Sequence, residues 1–458
     1  MNAELLNGIE ILAAVVKANP SMMMMAKEQQ IFPEVERTVV ALIGNATSTG
    51  ESLLAYEKFG SLVPDWKFLF ASEKGSAPGF AVNRNFSDGS VVRGLFSTER
   101  AVVLDQGIHR DMLSKHEATF PIDHSIALDT QALSYLLPYL NGKTTNLPKD
   151  FYEIFSFISQ DEVFVDPVPY LTENLPNILI DKNIPQITDR LGAYEVLRTI
   201  DAKHFRETQE VRSKISQNER NSNVDKFVRK MIQDASEPKL MSAVLRRYTL
   251  LYCLLLKMST IQLGSQGRSS DSKLHELVEF MDSQLHTVFA REIVVAAEYF
   301  SKGQDLTFFG KIQKRPPDEL SDLIKQLKNM AWDFWHIRYI EEAATNESPR
   351  PDTAPIQPRY FFPALLTCDK KFIEIIDLYP LKSCAYQKGS RSPIPFAAKD
   401  WIAALSGSPG TEAAIMEKYF SREAIHRRDT KREGVDTKLP ALVNTLEEEF
   451  AKAARAGK

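Results

Sequence analysis

The chain has 458 residues, of which 43% are hydrophobic and 25% are charged, and its 56 Lys and Arg against 60 Asp and Glu give a net charge of -4. This composition excludes an intrinsically disordered chain and predicts a folded protein of two or three domains, or of one domain with a large insertion. The balance of charge excludes a strong overall attraction to nucleic acid, although a local basic patch remains compatible with it.

The cysteines and the apolar segments bear on localisation. Cys253, Cys368 and Cys384 are too few and too scattered for a disulfide framework or a zinc site, and they fit a reducing cytoplasm. The N-terminus has no basic segment followed by a cleavage site, so we expect no signal peptide. The most apolar helical pattern, residues 240–263, contains three basic residues, which is typical of a packed helix rather than a membrane span. We expect a cytoplasmic protein that does not enter the membrane.

The first hundred residues predict a helix followed by short strands. Residues 1–35 have a helical pattern, and β-rich runs separated by Gly, Asn and Ser occupy residues 37–105. These runs are RTVVALIG, WKFLFAS, GFAVN, SVVRGLFS and RAVVLD. We therefore expect an N-terminal α/β region over residues 1–115.

Two apolar runs that end on an acid come next. The first, HSIAL, ends at Asp129, and leucines at helical spacing follow it, which predicts a strand and then a helix. The second, EVFV, ends at Asp166, and the segment PVPYLTENLPN after it contains Glu173.

Helical patterns dominate the middle of the chain. The expected helices cover residues 188–218, 223–234, 239–263, 272–302 and 317–330. The segment MAWDFWHIRYIEEAA, residues 330–344, predicts a further helix with Asp333 in its first turns. The apolar run FFPALLTC then ends on Asp369, and KSCAYQ predicts another strand. Near the C-terminus HRRDTKREG predicts a charged loop, and LPALVNTLEEEFAKAARAGK predicts an amphipathic helix.

Three acids occupy similar positions in these patterns. Asp129 and Asp369 each stand between an apolar run and a helix, and Asp333 lies on the helix that precedes the second run. Ligands of parallel sheets bind at the carboxyl ends of strands, and carboxylates are the ligands that Mg²⁺ prefers. Asp is equally favoured in turns and at helix N-caps, so each acid also has a purely structural interpretation.

The segments LDTQALSYL, WDFWHIRYIEEA and LLTCDKKF resemble three signature pieces of the PIN-domain nucleases. The resemblance implies an α/β/α sandwich around a parallel sheet, and hydrolysis of RNA phosphodiester bonds that depends on Mg²⁺ or Mn²⁺. It implies that Asp129, Asp333 and Asp369 bind the metal and that Glu173 is the fourth catalytic acid.

Four other acids compete for these positions. Asp166, Glu292 and Glu298 are alternatives to Glu173, and Asp105, at the end of AVVLD, is an alternative to Asp129. We prefer Asp129 because the segment after it has the cleaner helical period.

Four further residues are candidates for substrate contacts. Thr130 and Thr367 adjoin the proposed metal acids, His336 lies one turn after Asp333, and Lys370 could meet a phosphate. Each has an ordinary structural interpretation as a turn, core or solvated residue. The sequence contains no Gly-x-Ser-x-Gly, His-Glu-x-x-His or Gly-x-Gly-x-x-Gly motif, which argues against serine hydrolases, zinc peptidases and nucleotide-cofactor enzymes.

The function that we expect is a metal-dependent endonuclease that prefers RNA to DNA and acts as a toxin or defence effector. Its PIN-like core would comprise residues 116–185 and 328–400, interrupted by a helical insertion at 186–327 and followed by a helical tail at 401–458. The insertion would cover the site, select the substrate or bind a protein partner. The alternative is a helical interaction or scaffold protein whose α/β core is inactive.

Overall fold

The computed structural model describes residues 3–77, 83–115, 120, 122–265, 267–346, 360–402, 405 and 413–455. It is a mixed α/β structure in which helices predominate. The α-helices are α1 Ala3–Ala18, α2 Met22–Lys27, α3 Phe32–Gly44, α4 Thr49–Phe59, α5 Gln106–Lys115, α6 Thr130–Leu140, α7 Phe151–Ile158, α8 Val168–Glu173, α9 Ile184–Arg198, α10 Ala202–Thr208, α11 Gln217–Ala235, α12 Pro238–Gly264, α13 Ser270–Phe280, α14 Ala290–Lys302, α15 Leu320–Ala343, α16 Lys370–Asp377, α17 Arg422–Arg432 and α18 Leu439–Ala454. The strands are β1 Trp66–Ser76, β2 Arg84–Asn85, β3 Val91–Gly94, β4 Ala101–Leu104, β5 Ile122–Leu128, β6 Val165–Asp166, β7 Tyr360–Thr367, β8 Leu381–Gln387 and β9 Ile394–Ala397.

A five-stranded sheet contains the acid-bearing strands in the order β2-β3-β7-β5-β6. Strand β5 pairs in parallel with β7 on one side and with β6 on the other. Strand β3 is antiparallel to β7, and it forms a hairpin with β2 that closes through Gly89 at φ 92°. The expected α/β class is confirmed. The expected parallel pairing is present between β5 and its neighbours β6 and β7, and the β2-β3 hairpin makes the sheet mixed.

The second sheet is antiparallel, with the order β4-β1-β8-β9, and it lies between two hydrophobic cores. Successive side chains of a strand point to opposite faces. Accordingly Phe68 and Phe70 of β1 pack with the N-terminal helices, whereas Leu69 belongs to the larger core that surrounds the first sheet. Strand β1 is therefore shared by both cores.

Three expectations about helices are wrong. RTVVALIG belongs to helix α3, because Val39, Val40 and Ile43 are buried on one helical face and this packing outweighs the β-propensity of valine and isoleucine. Most of HRRDTKREG lies in helix α17, where the buried Arg428 pairs with Asp282.

The third concerns the helix that carries Asp333. The patterns at 317–330 and 330–344 form one helix, α15, so Asp333 lies past its middle rather than in its first turns. GFAVN and the loop after α15 fall almost entirely outside the described residues.

The block between α9 and α14 is helical, as expected, but two of its long helices are interrupted. The pattern at 188–218 breaks after α9 and α10, and the pattern at 272–302 breaks between α13 and α14. There a π-helical turn, Met281–Leu285, ends at His286, whose φ of 47° is rare for a residue with a side chain. In the described part of the chain no helix is both long and apolar enough to cross a membrane.

Candidate functional site

Asp129 and Asp369 follow adjacent parallel strands at the same edge of the sheet. Leu128, at the end of β5, pairs with Leu366 of β7, and the backbone N–H of Asp129 donates to the Leu366 carbonyl at 3.1 Å. The buried Thr367 ends β7, two residues before Asp369. Strand pairing thus brings together two acids that lie far apart in the sequence.

Both acids also cap helices. The Asp129 carboxylate accepts the backbone N–H of Ala132 at the start of α6, and the Asp369 carboxylate accepts that of Lys371 in α16 at 2.9 Å. The Thr367 hydroxyl accepts the backbone N–H of Asp369 at 3.1 Å and also bonds to the Asp129 carboxylate. These contacts orient the two carboxylates.

Glu173, the last residue of α8, lies next to the start of α6. Its Oε2 accepts the Thr130 hydroxyl at 2.5 Å. Burial raises the pKa of Glu173, and the Thr130 hydrogen bond and the Arg190 guanidinium act in the opposite direction. Thr130 therefore positions a carboxylate.

Asp333 reaches the same place from helix α15. Its pKa is raised well above the ordinary value, first by burial and then by repulsion from Asp369, Glu173 and Asp129. The structure therefore brings these four carboxylates within electrostatic range of one another. We call Asp129, Glu173, Asp333 and Asp369 the acidic cluster.

Burial and hydrogen bonding act in opposite directions on the pKa of Asp129. Burial raises its pKa to about 7, the hydrogen bonds from Ala132 and Thr367 oppose the rise, and Asp369 and Glu173 add to it. Like charges held together in a partly dry site favour the protonated form of each. Near neutral pH the Asp129 carboxyl is therefore close to its pKa.

His336 borders the acidic cluster from α15. Its Nε2 lies 3.7 Å from Oε2 of Glu173, and the side chain is only 2% exposed. Neither ring nitrogen has a hydrogen bond of normal geometry to the described residues. Burial lowers the pKa of His336 to about 3, although the Pro169 carbonyl opposes this shift. The imidazole is therefore neutral at neutral pH.

Lys370 lies at the first turn of α16 but points to the outside. Its side chain is exposed, and its Nζ is 3.4 Å from Oδ1 of Asp88. Its described partner is this surface acid and not a member of the acidic cluster.

The competing acids are engaged elsewhere. Asp166 accepts the Ser125 hydroxyl at 2.5 Å and the backbone N–H of Val168 at 3.1 Å. Glu292 pairs with Arg338. Asp105, which follows β4, caps helix α5. Glu298, on α14, pairs with a lysine one turn away.

Sequence reasoning missed a polar layer beneath the acidic cluster. The buried Asp150 accepts the Ser90 hydroxyl at 2.9 Å and the backbone N–H groups of Ser90 and Asp88 at 3.0 Å. The Cys368 thiol bonds to Ser90, and burial raises its pKa, with further contributions from Asp129, Asp150 and Asp369. The apolar residues that follow Asp150 were the available sequence signal that it is buried. They could not reveal its hydrogen-bond partner Ser90, which is 60 positions away.

Among the described residues no group of three or more His, Cys, Asp or Glu side chains is already arranged to hold a metal ion. No protein-family model, no curated protein and no solved structure matches the chain. The chemistry of the acidic cluster is therefore inferred from its own residues.

Proposed function

We propose that this protein is a divalent-cation-dependent nuclease that hydrolyses phosphodiester bonds of RNA, and that the acidic cluster is its active site. The observation that carries the proposal is the parallel pairing of β5 with β7, which places Asp129 and Asp369 at the same edge of the sheet, where Thr130 also binds Glu173. Repulsion from these three carboxylates adds to the raised pKa of Asp333. Four acids at one edge of a sheet repel one another unless protons or cations offset their charge. The arrangement of β5, α8, α15 and β7 also follows the order of acids in the PIN-domain resemblance.

The donor set suits Mg²⁺ or Mn²⁺. Both are hard cations that bind carboxylate oxygens and retain several water ligands, so one or two protein carboxylates per ion are enough. Such an ion, when bound, lowers the pKa of water and stabilises charge on phosphoryl oxygens. Asp129, Asp333 and Asp369 would hold it, although the described side chains form no group of three placed around a metal ion.

The chain's own residues would supply orientation and proton balance. Thr367 and the N-terminus of α6 hold the Asp129 carboxylate, and Thr130 holds Glu173. With its raised pKa, Glu173 is suited to hold a proton at Oε1 or Oε2 that leaves the attacking water. The neutral His336 beside it keeps that part of the site free of positive charge.

The decisive test is cleavage of labelled single-stranded RNA and DNA with Mg²⁺ or Mn²⁺. We expect the wild type to cut RNA and Asp369→Asn to lose at least 100-fold in rate, since one active-site electrostatic contact commonly contributes that much. The matched control is Asp377→Asn, at the exposed end of the same helix, where Asp377 pairs with Arg93. It should cleave like the wild type. Metal-dependent cutting that survives in Asp369→Asn would place the active site elsewhere.

The alternative function, a helical interaction protein with an inactive core, is supported by one observation. Asp129 and Asp369 each cap a helix, and capping accounts for an Asp at those positions without any cation. Titration calorimetry with Mn²⁺ separates the two functions. An interaction protein would show neither cleavage nor a difference in Mn²⁺ binding between the wild type and Asp369→Asn.

A further inference from the structure

A cavity with a volume of about 850 Å³ lies at the N-terminal half of helix α12. Its walls include Lys239, Arg246, Arg247 and Arg432, and Asp436 is the one acid among its described lining residues. We call this cavity the basic groove. Arg246, Arg247 and Arg432 each pair with an acid, namely Asp436, Glu342 and Asp429, so the excess of positive charge comes from Lys239. The paired guanidinium groups keep further N–H donors, and together with Lys239 they suit an anionic ligand.

The arginines of the basic groove are held in place but are not buried. Arg246 pairs with Asp436, and their side chains are 34% and 49% exposed. Arg247 binds both carboxylate oxygens of Glu342. Lys239 is exposed and has no ion pair among the described residues. The groove therefore presents positioned guanidinium groups and one lysine to the solvent.

The strained turn before α14 forms another wall. His286 has a φ of 47°, and its Nδ1 lies 2.9 Å from the Asp282 carbonyl. The Arg432 Nε donates to the His286 carbonyl at 3.3 Å, and Thr287 and Phe289 then line the groove. Backbone strain at a non-glycine residue persists only where the surroundings enforce it. This wall is therefore built in advance of ligand binding.

The basic groove is close to the acidic cluster. The Arg247 guanidinium lies 5.9 Å from the Trp335 ring, and the rings of Trp335 and His336 are 6.1 Å apart. His336 is in turn 3.7 Å from Glu173. Two buried side chains, Trp335 and His336, thus lie between the groove and the cluster in the protein interior.

We infer that the basic groove binds the phosphate backbone of a single-stranded RNA whose scissile bond lies at the acidic cluster. The choice of RNA as the ligand rests on the proposed function. Lys and Arg neutralise phosphates, and the Ser242 and Thr287 hydroxyls of the groove add hydrogen-bond donors. Backbone contacts of this kind carry no sequence information, so the groove holds the strand without selecting its sequence.

Binding without cleavage tests this inference. Fluorescence anisotropy in EDTA compares labelled single-stranded RNA of about twenty nucleotides with a labelled mononucleotide. We expect the full-length wild type to bind the RNA and not the mononucleotide. Replacing two cations, Lys239→Gln with Arg246→Gln, should weaken RNA binding about tenfold. It should also reduce the slope of log K against log salt by about 1.4, which corresponds to two lost phosphate contacts.

The matched control breaks the same ion pair from the other side. Asp436→Asn frees Arg246 and removes a negative charge, so we expect it to strengthen RNA binding. If Arg246 served only the fold, Arg246→Gln and Asp436→Asn would change binding in the same direction, which would overturn the inference. Unchanged affinity and salt slope in the double variant would overturn it too, and so would preferential binding of the mononucleotide.

The inference and the proposed function fail separately. If cleavage is absent but RNA binding depends on Lys239 and Arg246 as described, RNA binding by the basic groove is supported and the nuclease function is contradicted. If the wild type cleaves RNA but the double variant binds it normally, the nuclease function is supported and RNA binding by the basic groove is contradicted.

Discussion

Asp129 has two structural roles with opposite effects on its ionisation. As the N-cap of α6 it accepts the Ala132 N–H, and a helix N-terminus favours a negative charge. As a member of the acidic cluster it is buried beside Asp369 and Glu173, which favour the neutral form. Its pKa of about 7 shows that burial and repulsion outweigh the cap.

We predict that Asp129→Asn stabilises the metal-free protein at pH 8. The pKa of Asp129 in the folded protein is raised to about 7 from its ordinary value of 3.8, so stability falls as the pH rises from about 4 to about 7. Above pH 7 Asp129 is ionised, and the full loss of stability caused by its ionisation remains. Asn keeps the cap without ionising, so the variant should gain on the order of 1–4 kcal/mol at pH 8 and nothing at pH 3.5. Urea denaturation in EDTA at several pH values measures this.

Asp201, the exposed N-cap of α10, provides the matched control. Its carboxylate accepts the His204 N–H at 3.1 Å, and this hydrogen bond lowers its pKa. A lowered pKa means that the carboxylate contributes stability at neutral pH and loses it as the pH falls through the folded pKa. Asp201→Asn should therefore not stabilise the protein at pH 8. If both variants changed stability alike, Asp129 would be an ordinary cap.

At the scale of single residues, the sequence predicted part of this site. Asp129 and Asp369 are recognisable because each stands between an apolar run and a helix. The surroundings of Asp150 and Cys368 were not predictable, because hydrogen bonds across 60 positions leave no local pattern.

Helix α15 links the acidic cluster to the helical block. Asp333 and His336 lie on it beside the cluster, and further along Glu341 bonds to two guanidinium groups. The Glu341 Oε1 accepts from Arg291 at 3.0 and 2.9 Å, and its Oε2 accepts from Arg338 at 2.6 Å. Burial alone would raise the pKa of Glu341, but the two arginines lower it.

Removing this charge should destabilise the protein strongly. Glu341→Gln leaves Arg291, which is 1% exposed, without a charged partner at Oε1, and we expect a loss of about 3–5 kcal/mol in the free energy of unfolding. The neighbouring Glu342 pairs with Arg247 while both side chains are 35% exposed, so Glu342→Gln should cost only about 0–1 kcal/mol. Urea denaturation compares the two, and equal losses would contradict a buried network.

The errors about elements have a common physical origin. In α3 a run of β-branched residues is helical because the chain can bury Val39, Val40 and Ile43 against the second sheet. In α17 few apolar residues recur at helical spacing, and the position of this helix depends on the ion pair of Arg428 with Asp282. Both helices are determined by partners distant in the sequence, whereas α6 and α12 were predictable from their own periodicity.

At the scale of the whole molecule, the two hydrophobic cores share β1. Phe68 and Leu69 are adjacent and fully buried, but they face different cores. Strand β1 also pairs with β8, which comes from the other end of the chain. This pairing between distant segments is the part of the fold that local patterns could not predict.

We predict that the two cores unfold together. Phe68→Ala and Leu69→Ala should each cost about 2–5 kcal/mol and shift the same transition, because either cavity weakens the shared sheet. Tryptophan fluorescence and far-ultraviolet circular dichroism in urea should give coincident curves for both variants. A separate early transition in Phe68→Ala would instead indicate that the N-terminal helices unfold independently.

The parallel pairing of β5 with β7 also affects the protein while it is being made. The ribosome synthesises about 5–20 residues per second, so β7 emerges on the order of tens of seconds after β5. During this interval the nascent chain contains Asp129 and Glu173 but neither β7 nor Asp369. Asp369 is the last acid of the cluster to be translated, 240 positions after Asp129. A product terminated before Asp369 therefore lacks the complete acidic cluster.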